Sequence, residues 1–309
     1  AKPYRMTLLA MDNTGYRNLT ELVSRGYLEG QHQGRNILKD EWLVEKSDGL
    51  IVLSGAKEGE VGRLLVGGHY PEAREALQKW MQVFPNRFYL ELQRTFRADD
   101  ELCVHESVKL ATECQCPVVA TNDVRFIERE DFWAHETRVC IGEGRALDDP
   151  HRNKSYSEEQ YLKSQEEMAD LFSDIPEALQ NSVEIAKRCT IEVQLGKYFL
   201  PDFPIPEGMT MEDFFRKVSH DGLTERLEQL FDTRAEDFPQ KEKIYRERLD
   251  FELETIISMG FPGYFLIVMD FIQWSKNNGV PVGPGRGSGA GSLVAYAQKI
   301  TDLDPLQYD

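Results

Sequence analysis

Short apolar runs separated by amphipathic stretches set the plan of the first two hundred residues. Met6–Ala10, Leu50–Leu53, Phe88–Leu92 and Val118–Thr121 are largely apolar and short enough to be strands. Between them apolar positions recur at helical spacing. Leu19, Leu22, Val23 and Gly26 share one face, and helices are predicted over about 59–66, 71–83 and 100–114. Asp12-Asn13-Thr14-Gly15 reads as a turn and Gln31–Asn36 as a polar loop. Strands alternating with helices predict an α/β domain with a parallel sheet or barrel, and strands without polar alternation suit a sheet covered on both faces.

The pattern then changes. Ser157-Glu158-Glu159-Gln160 and Ser164-Gln165-Glu166-Glu167 each read as a capping box opening a short helix. A further helix is predicted from Pro176, with Leu179, Val183 and Ala186 on one face. Pro201, Pro204 and Pro206 punctuate the chain after Leu195, which divides it into domains 1–195 and 196–309. The second part is charged and helical. Thr210 and Asp213 can cap one helix, and Leu223, Leu227, Leu230 and Phe231 form a stripe, as do Leu249, Leu253, Ile256 and Ile257. Tyr264–Asn278, started by Pro262 and stopped by Gly279, reads as a largely buried helix.

Composition narrows the class. The 309 residues are 41% hydrophobic, ordinary for a chain with a real core. No apolar run approaches the ~20 residues needed to span a bilayer, and no signal peptide opens the chain. Five cysteines without a C-x-x-C pair fit a reducing, cytoplasmic setting. Six histidines show neither H-x-H nor H-E-x-x-H spacing and are read as structural. A net charge of −17 argues that most of this surface does not grip nucleic acid. Ala1 in place of Met, and the lack of a closing element after Pro305, suggest a piece of a longer polypeptide.

The sharpest chemical signal is Gly283-Pro284-Gly285-Arg286-Gly287-Ser288-Gly289-Ala290-Gly291-Ser292, followed at once by a helical pattern through Leu293, Val294, Ala297 and Ile300. Glycines leave room for a ligand against the backbone, a helix start presents unpaired N–H groups, and a guanidinium fork matches phosphate oxygens. The stretch is therefore a candidate phosphate seat, with Gly285, Arg286, Gly287, Ser288 and Gly289 as its residues. The nucleoside-triphosphatase loop fails for want of a Gly-Lys pair. The dinucleotide pattern fits Gly285, Gly287 and Ala290 but has no clear preceding strand.

With its flank Gly260-Phe261-Pro262-Gly263-Tyr264-Phe265-Leu266-Ile267-Val268-Met269-Asp270-Phe271, this motif closely resembles the start of the palm of bacterial C-family replicative DNA polymerases. The resemblance continues upstream through Ala120-Thr121-Asn122-Asp123-Val124 to Thr7-Leu8-Leu9-Ala10, and so covers essentially the whole chain. It implies an incomplete, distorted (β/α) barrel of the polymerase-and-histidinol-phosphatase (PHP) type. A helical connector and the first part of a polymerase-beta-like nucleotidyltransferase palm would follow. It also implies Mg²⁺, primer-template DNA and deoxynucleoside triphosphates for the parent enzyme. A proofreading exonuclease subunit would be held through the PHP domain, with the sliding clamp and other replicase subunits met by regions outside this chain.

The resemblance further marks a degenerate metal site. Arg125, near Asp123, stands where members with a working site carry histidine. Arg5 occupies another position often filled by histidine, and Ala56 one where cysteine or histidine can stand. Arginine offers a metal no lone pair, so no metal is expected there. Asp302-Leu303-Asp304 looks like a catalytic D-x-D, but Asp304 precedes Pro305 in a helix-ending turn, and the family places its aspartates farther on. The competing readings are a metal-dependent phosphoesterase working from the barrel and a non-catalytic module that binds the exonuclease subunit.

Overall fold

A computed structural model describes residues 2–285 and 287–308. The chain divides into two compact units, Ala1–Gln194 and Leu195–Asp309.

In the first unit, strands β1 (Thr7–Ala10), β4 (Leu50–Leu53), β5 (Phe88–Gln93) and β6 (Val118–Thr121) form one sheet in that order. β4, β5 and β6 run parallel, with Val52 opposite Phe88 and Leu92 opposite Ala120. β1 corrects the all-parallel expectation: it pairs antiparallel to β4, Thr7 opposite Leu53, and is only half-buried at the outer position. β4 is buried along its whole length because alternate residues enter different cores. Leu50 and Val52 join Leu77, Trp80, Phe84 and Leu110 on one face, while Ile51 and Leu53 join Tyr89, Val119 and Ile185 on the other. That two-sided burial is why the strand lacks polar alternation.

Helices cover both faces. α1 (Asn13–Glu29) starts where a turn was expected, because Asp12 Oδ1 accepts from the Gly15 N–H (2.9 Å) and caps it. The expected loop at Gln31–Asn36 is a small hairpin, β2 (Gln31–His32) and β3 (Arg35–Asn36). Then come α2 (Asp40–Glu45), α3 (Glu60–Val66), α4 (Tyr70–Val83), α5 (Asp100–Cys114) and α6 (Phe132–Glu143). Only one of the two capping boxes opens a helix. Ser164 and Glu167 cap α7 (Gln165–Leu171), whereas Ser157 and Gln160 close a turn tied to Thr95 through the serine hydroxyl. α8 (Pro176–Arg188) packs through Ala178 and Ile185, not through Val183, which is 53% exposed.

Every regular element among the described residues of the second unit is a helix, joined by irregular segments. α9 (Met211–Leu230), capped by Thr210 as expected, packs with α10 (Phe238–Ser258), α11 (Pro262–Asn277) and the short α12 (Leu293–Ala297). Phe215, Leu223, Leu227, Leu249, Leu253 and Leu266 surround α12, all of whose residues are buried. α11 departs from expectation. Only Pro262 and Leu266 are buried, while Tyr264, Phe271 and Trp274 are each more than half exposed.

Candidate functional site

The glycine-rich stretch lies between α11 and α12. Gly285 takes φ of 136°, and a Cβ there would stand 3.0 Å from the Thr301 side chain. Arg286 falls outside the described residues. Gly287, with φ of 57°, opens a 3-10 turn that runs to Gly291. Gly287–Gly289 do not belong to the helix that follows. Ser292 intervenes and caps α12, its Oγ accepting from the Ala295 N–H (3.2 Å). Gly287, Ser288 and Gly289 are all exposed. The opening N–H groups of such a turn have no partner within it, so they are the donors this stretch offers a ligand.

Both ends of the stretch are held. At its start the Asp302 N–H donates to the Pro284 carbonyl (2.9 Å). At its end Glu252 Oε2 accepts from Ser292 Oγ (2.9 Å) and from the Val294 N–H (3.1 Å). Arg248 donates to Glu252 Oε1 (2.7 Å) and reaches the Gly291 carbonyl at 3.4 Å. Beside the stretch, Tyr264, Val268, Phe271 and Ile300 line an apolar groove of about 650 Å³.

Asp302 and Asp304 lie in the turn after α12 and face different partners. Asp302 accepts from Arg226 (3.0 Å) and Lys276 (3.0 Å). Burial works to raise its carboxyl, but hydrogen bonds from Arg226 and Lys276 outweigh that and hold it below the usual carboxylate range. Asp304 is buried, accepting from the Tyr245 hydroxyl and the Leu306 N–H. Burial and this carboxylate push the Tyr245 hydroxyl up, well beyond the ordinary phenol range. A two-metal centre needs two carboxylates turned to a common point, and these two do not meet that need.

In the first unit Asp123 sits just beyond β6, at the carboxyl end of the parallel strands, where ligands of such sheets gather. Its Oδ1 accepts from Arg125 (2.7 Å) and lies 3.8 Å from Arg5. Its Oδ2 accepts from Gln160 (2.8 Å) and lies 3.3 Å from Arg97. Arg5 also pairs with Glu58 (3.1 Å), and Ala56 is buried in the turn before Glu58. The structure therefore brings Arg5 and Arg125 onto Asp123, while Ala56 stands in the turn that carries Glu58, the other partner of Arg5. It adds Arg97, which no local motif marks, and Gln160, which the sequence marks only as part of a capping box. Among the described residues no group of three or more His, Cys, Asp or Glu side chains is placed to hold a metal.

Residues 213–309 match a family profile described as the bacterial DNA polymerase III alpha NTPase domain, and residues 1–95 match that of the PHP domain. The DNA polymerase III subunit alpha of Pseudomonas fluorescens is 66% identical over 99% of this chain, and that of Escherichia coli K12 is 56% identical over 98%. The chain belongs to the family of bacterial DNA polymerase III alpha subunits. It spans 26% of the length of each of these two relatives.

Within this alpha-subunit chain the NTPase-domain match takes in the glycine-rich stretch, α12 and the Asp302–Asp304 turn. The PHP match takes in Arg5 and Ala56 and ends before Asp123. The residues that hold the end of the glycine stretch, Arg248 and Glu252, escaped sequence reading because each sits among many charges on a long helix. Only their reach across to another element sets them apart. No single described helix is long and apolar enough to cross a membrane.

Proposed function

We propose that the alpha subunit containing this chain extends a primer 3′ end by adding deoxynucleoside monophosphates from their triphosphates. In this reading Gly285–Gly289 cradle the incoming triphosphate. The observation that carries it is the exposed opening of the 3-10 turn at Gly287, Ser288 and Gly289, on a stretch anchored at both ends. Its N–H groups and the Ser288 hydroxyl donate to phosphate oxygens, and Arg286 adds a fixed charge with a bidentate fork. As the pyrophosphate departs, donors already in place stabilise the charge it gains without having to reorganise.

Mg²⁺ supplies charge neutralisation at the reacting phosphate in such chemistry. Asp302 and Asp304 do not fit it, since Asp302 is held by two cations and Asp304 is buried beneath Tyr245. The catalytic carboxylates are assigned to another part of the subunit. Primer-template DNA is assigned chiefly to other parts as well, given the net charge of −17 here.

For the first unit, read as domain 1–195, the proposal is an incomplete PHP-type distorted barrel that has become structural and carries no metal. Three arginines around Asp123 favour this over a phosphoesterase, because they supply from within the protein the positive charge that a metal would bring. Such a unit suits a role in holding the proofreading exonuclease subunit in the cytoplasm. Residues 196–309 would form the connector and the start of a polymerase-beta-like palm.

Steady-state kinetics of the full-length subunit test the loop. Losing a charged bidentate contact is expected to cost roughly ten- to a hundredfold in nucleotide kcat/KM for Arg286→Ala. Arg286→Lys should rescue only in part, and Gly287→Val should be worse than Arg286→Ala, since a β-branched residue opposes positive φ and blocks the phosphate approach. Unchanged nucleotide KM and kcat/KM in Arg286→Ala would make the stretch a structural turn.

A further inference from the structure

We infer that Glu252 is a positioning residue for the triphosphate, acting through the end of the glycine-rich stretch. The inference rests on the loop reading above and goes beyond it by naming what confines the phosphates. An ion pair one turn apart on α10 would need only Arg248 and Glu252. Here the same carboxylate reaches off its helix and accepts from Ser292 Oγ at 2.9 Å and the Val294 N–H at 3.1 Å. Its side chain is 13% exposed, so these bonds form away from bulk water and keep their strength.

Two consequences follow from the charge and its location. The first is geometric. The 3-10 turn has glycine at Gly287, Gly289 and Gly291, which gives the backbone wide freedom. Arg248 on the Gly291 carbonyl and Glu252 on Ser292 and Val294 fix the residues where that freedom ends. The second is electrostatic. The N–H of Val294 in the first turn of α12 is already held by a carboxylate, so it is not available to a phosphate. A triphosphate is thereby kept off α12 and left with the donors of Gly287, Ser288 and Gly289. Arg248 balances the carboxylate, so the triphosphate meets a neutral pair and not a bare negative charge.

The test uses the full-length subunit and separates nucleotide binding from primer binding. With Glu252→Ala, the KM for deoxynucleoside triphosphate should rise about tenfold or more, the size expected for loss of charge-assisted hydrogen bonds. The turnover number and primer-template affinity should stay within about threefold, and the melting temperature should hold. Glu252→Gln keeps an acceptor for Ser292 and Val294 but loses the pair with Arg248, so it should recover most of the loss. An unchanged nucleotide KM, or a rise matched by equal loss of primer-template affinity and a lowered melting temperature, overturns the inference. Should Glu252→Ala fail to fold, Glu252→Gln alone must still raise nucleotide KM by about threefold, and no change overturns the inference. Arg286→Ala, run in parallel, tells the two failures apart. If it leaves nucleotide KM unchanged, the loop reading itself falls. If it raises KM while Glu252→Ala does not, only the positioning role falls.

Discussion

Gly222 on α9 lies against α12 so closely that a Cβ added there would stand 2.1 Å from the carbonyl oxygen of Ala297. No real side chain tolerates that approach to backbone, so α9 and α12 meet at this distance only because residue 222 is glycine. α12 carries the chain away from the glycine-rich stretch, which makes this contact part of the platform beneath the site.

Gly222→Ala is therefore expected to destabilise the 309-residue chain by about 3 kcal/mol, the upper end of ordinary overpacking costs. Gly142 in α6 offers the control, since a Cβ there meets nothing within 4 Å and its φ is not positive. Gly142→Ala should be neutral or stabilise by about 0.5–1 kcal/mol. Denaturant melts of both variants check the pair, and equal effects would contradict the close contact.

A second prediction concerns pH. Asp100 is buried and its Oδ2 accepts from the Thr95 N–H (2.9 Å), the Thr95 hydroxyl (2.7 Å) and the Arg97 N–H (3.1 Å). Burial works to raise its carboxyl, but Lys57 and Thr95 outweigh it and the group sits below its ordinary value of 3.8. A depressed carboxyl contributes stability that is present above the unfolded value and lost as pH falls through the folded one. Stability of the wild-type chain should thus drop below about pH 4, while Asp100→Asn should be flatter there. At neutral pH, Asp100→Asn should lose about 3–5 kcal/mol, because Lys57 keeps a charge without its partner. Urea melts from pH 3 to pH 7 measure both.

The third prediction is that the purified chain does not extend a primer. Asp302 is engaged by Arg226 and Lys276, and Asp304 by Tyr245, so neither is free to take a metal. Primer extension by this chain with Mg²⁺ present, abolished by Asp302→Ala, would overturn the proposed division of labour.

A fourth prediction concerns the Asp123 cluster. Zn²⁺ or Mn²⁺ should not be retained there, since Arg5, Arg97 and Arg125 compete for the same carboxylate and repel a cation. Elemental analysis of a chelator-free preparation decides it: stoichiometric metal, lost in Asp123→Ala, would show a working site.

Much of the architecture was legible from local pattern. β4, β5, β6, α4 and α5 appear where apolar runs and helical spacing place them, because an element buried on two faces or on one stripe writes that burial into its residues. The Thr210 cap and the Ser164–Glu167 capping box were equally plain, since each acts within one helical turn. The alpha-subunit family was legible in the glycine-rich stretch and its flanks.

Tertiary structure decided what spacing leaves open. Strand direction is one case: β1 reads like its neighbours yet runs antiparallel to β4, because direction depends on connections and not on side-chain pattern. Ser157 and Gln160 carry the signature of a helix start, but the serine hydroxyl is spent on the Thr95 carbonyl, 62 residues away. Val183 fits the helical face of α8 by period and is exposed all the same, since the neighbouring strands meet Ala178 and Ile185. The glycine-rich stretch sums up the division. Its composition gives the backbone wide freedom, whereas the carboxylate of Glu252, reaching over from another helix, holds the start of α12 while the turn at Gly287–Gly289 stays exposed. Local sequence encodes which conformations the backbone can take, and only contacts between distant residues select which of its donors stay free.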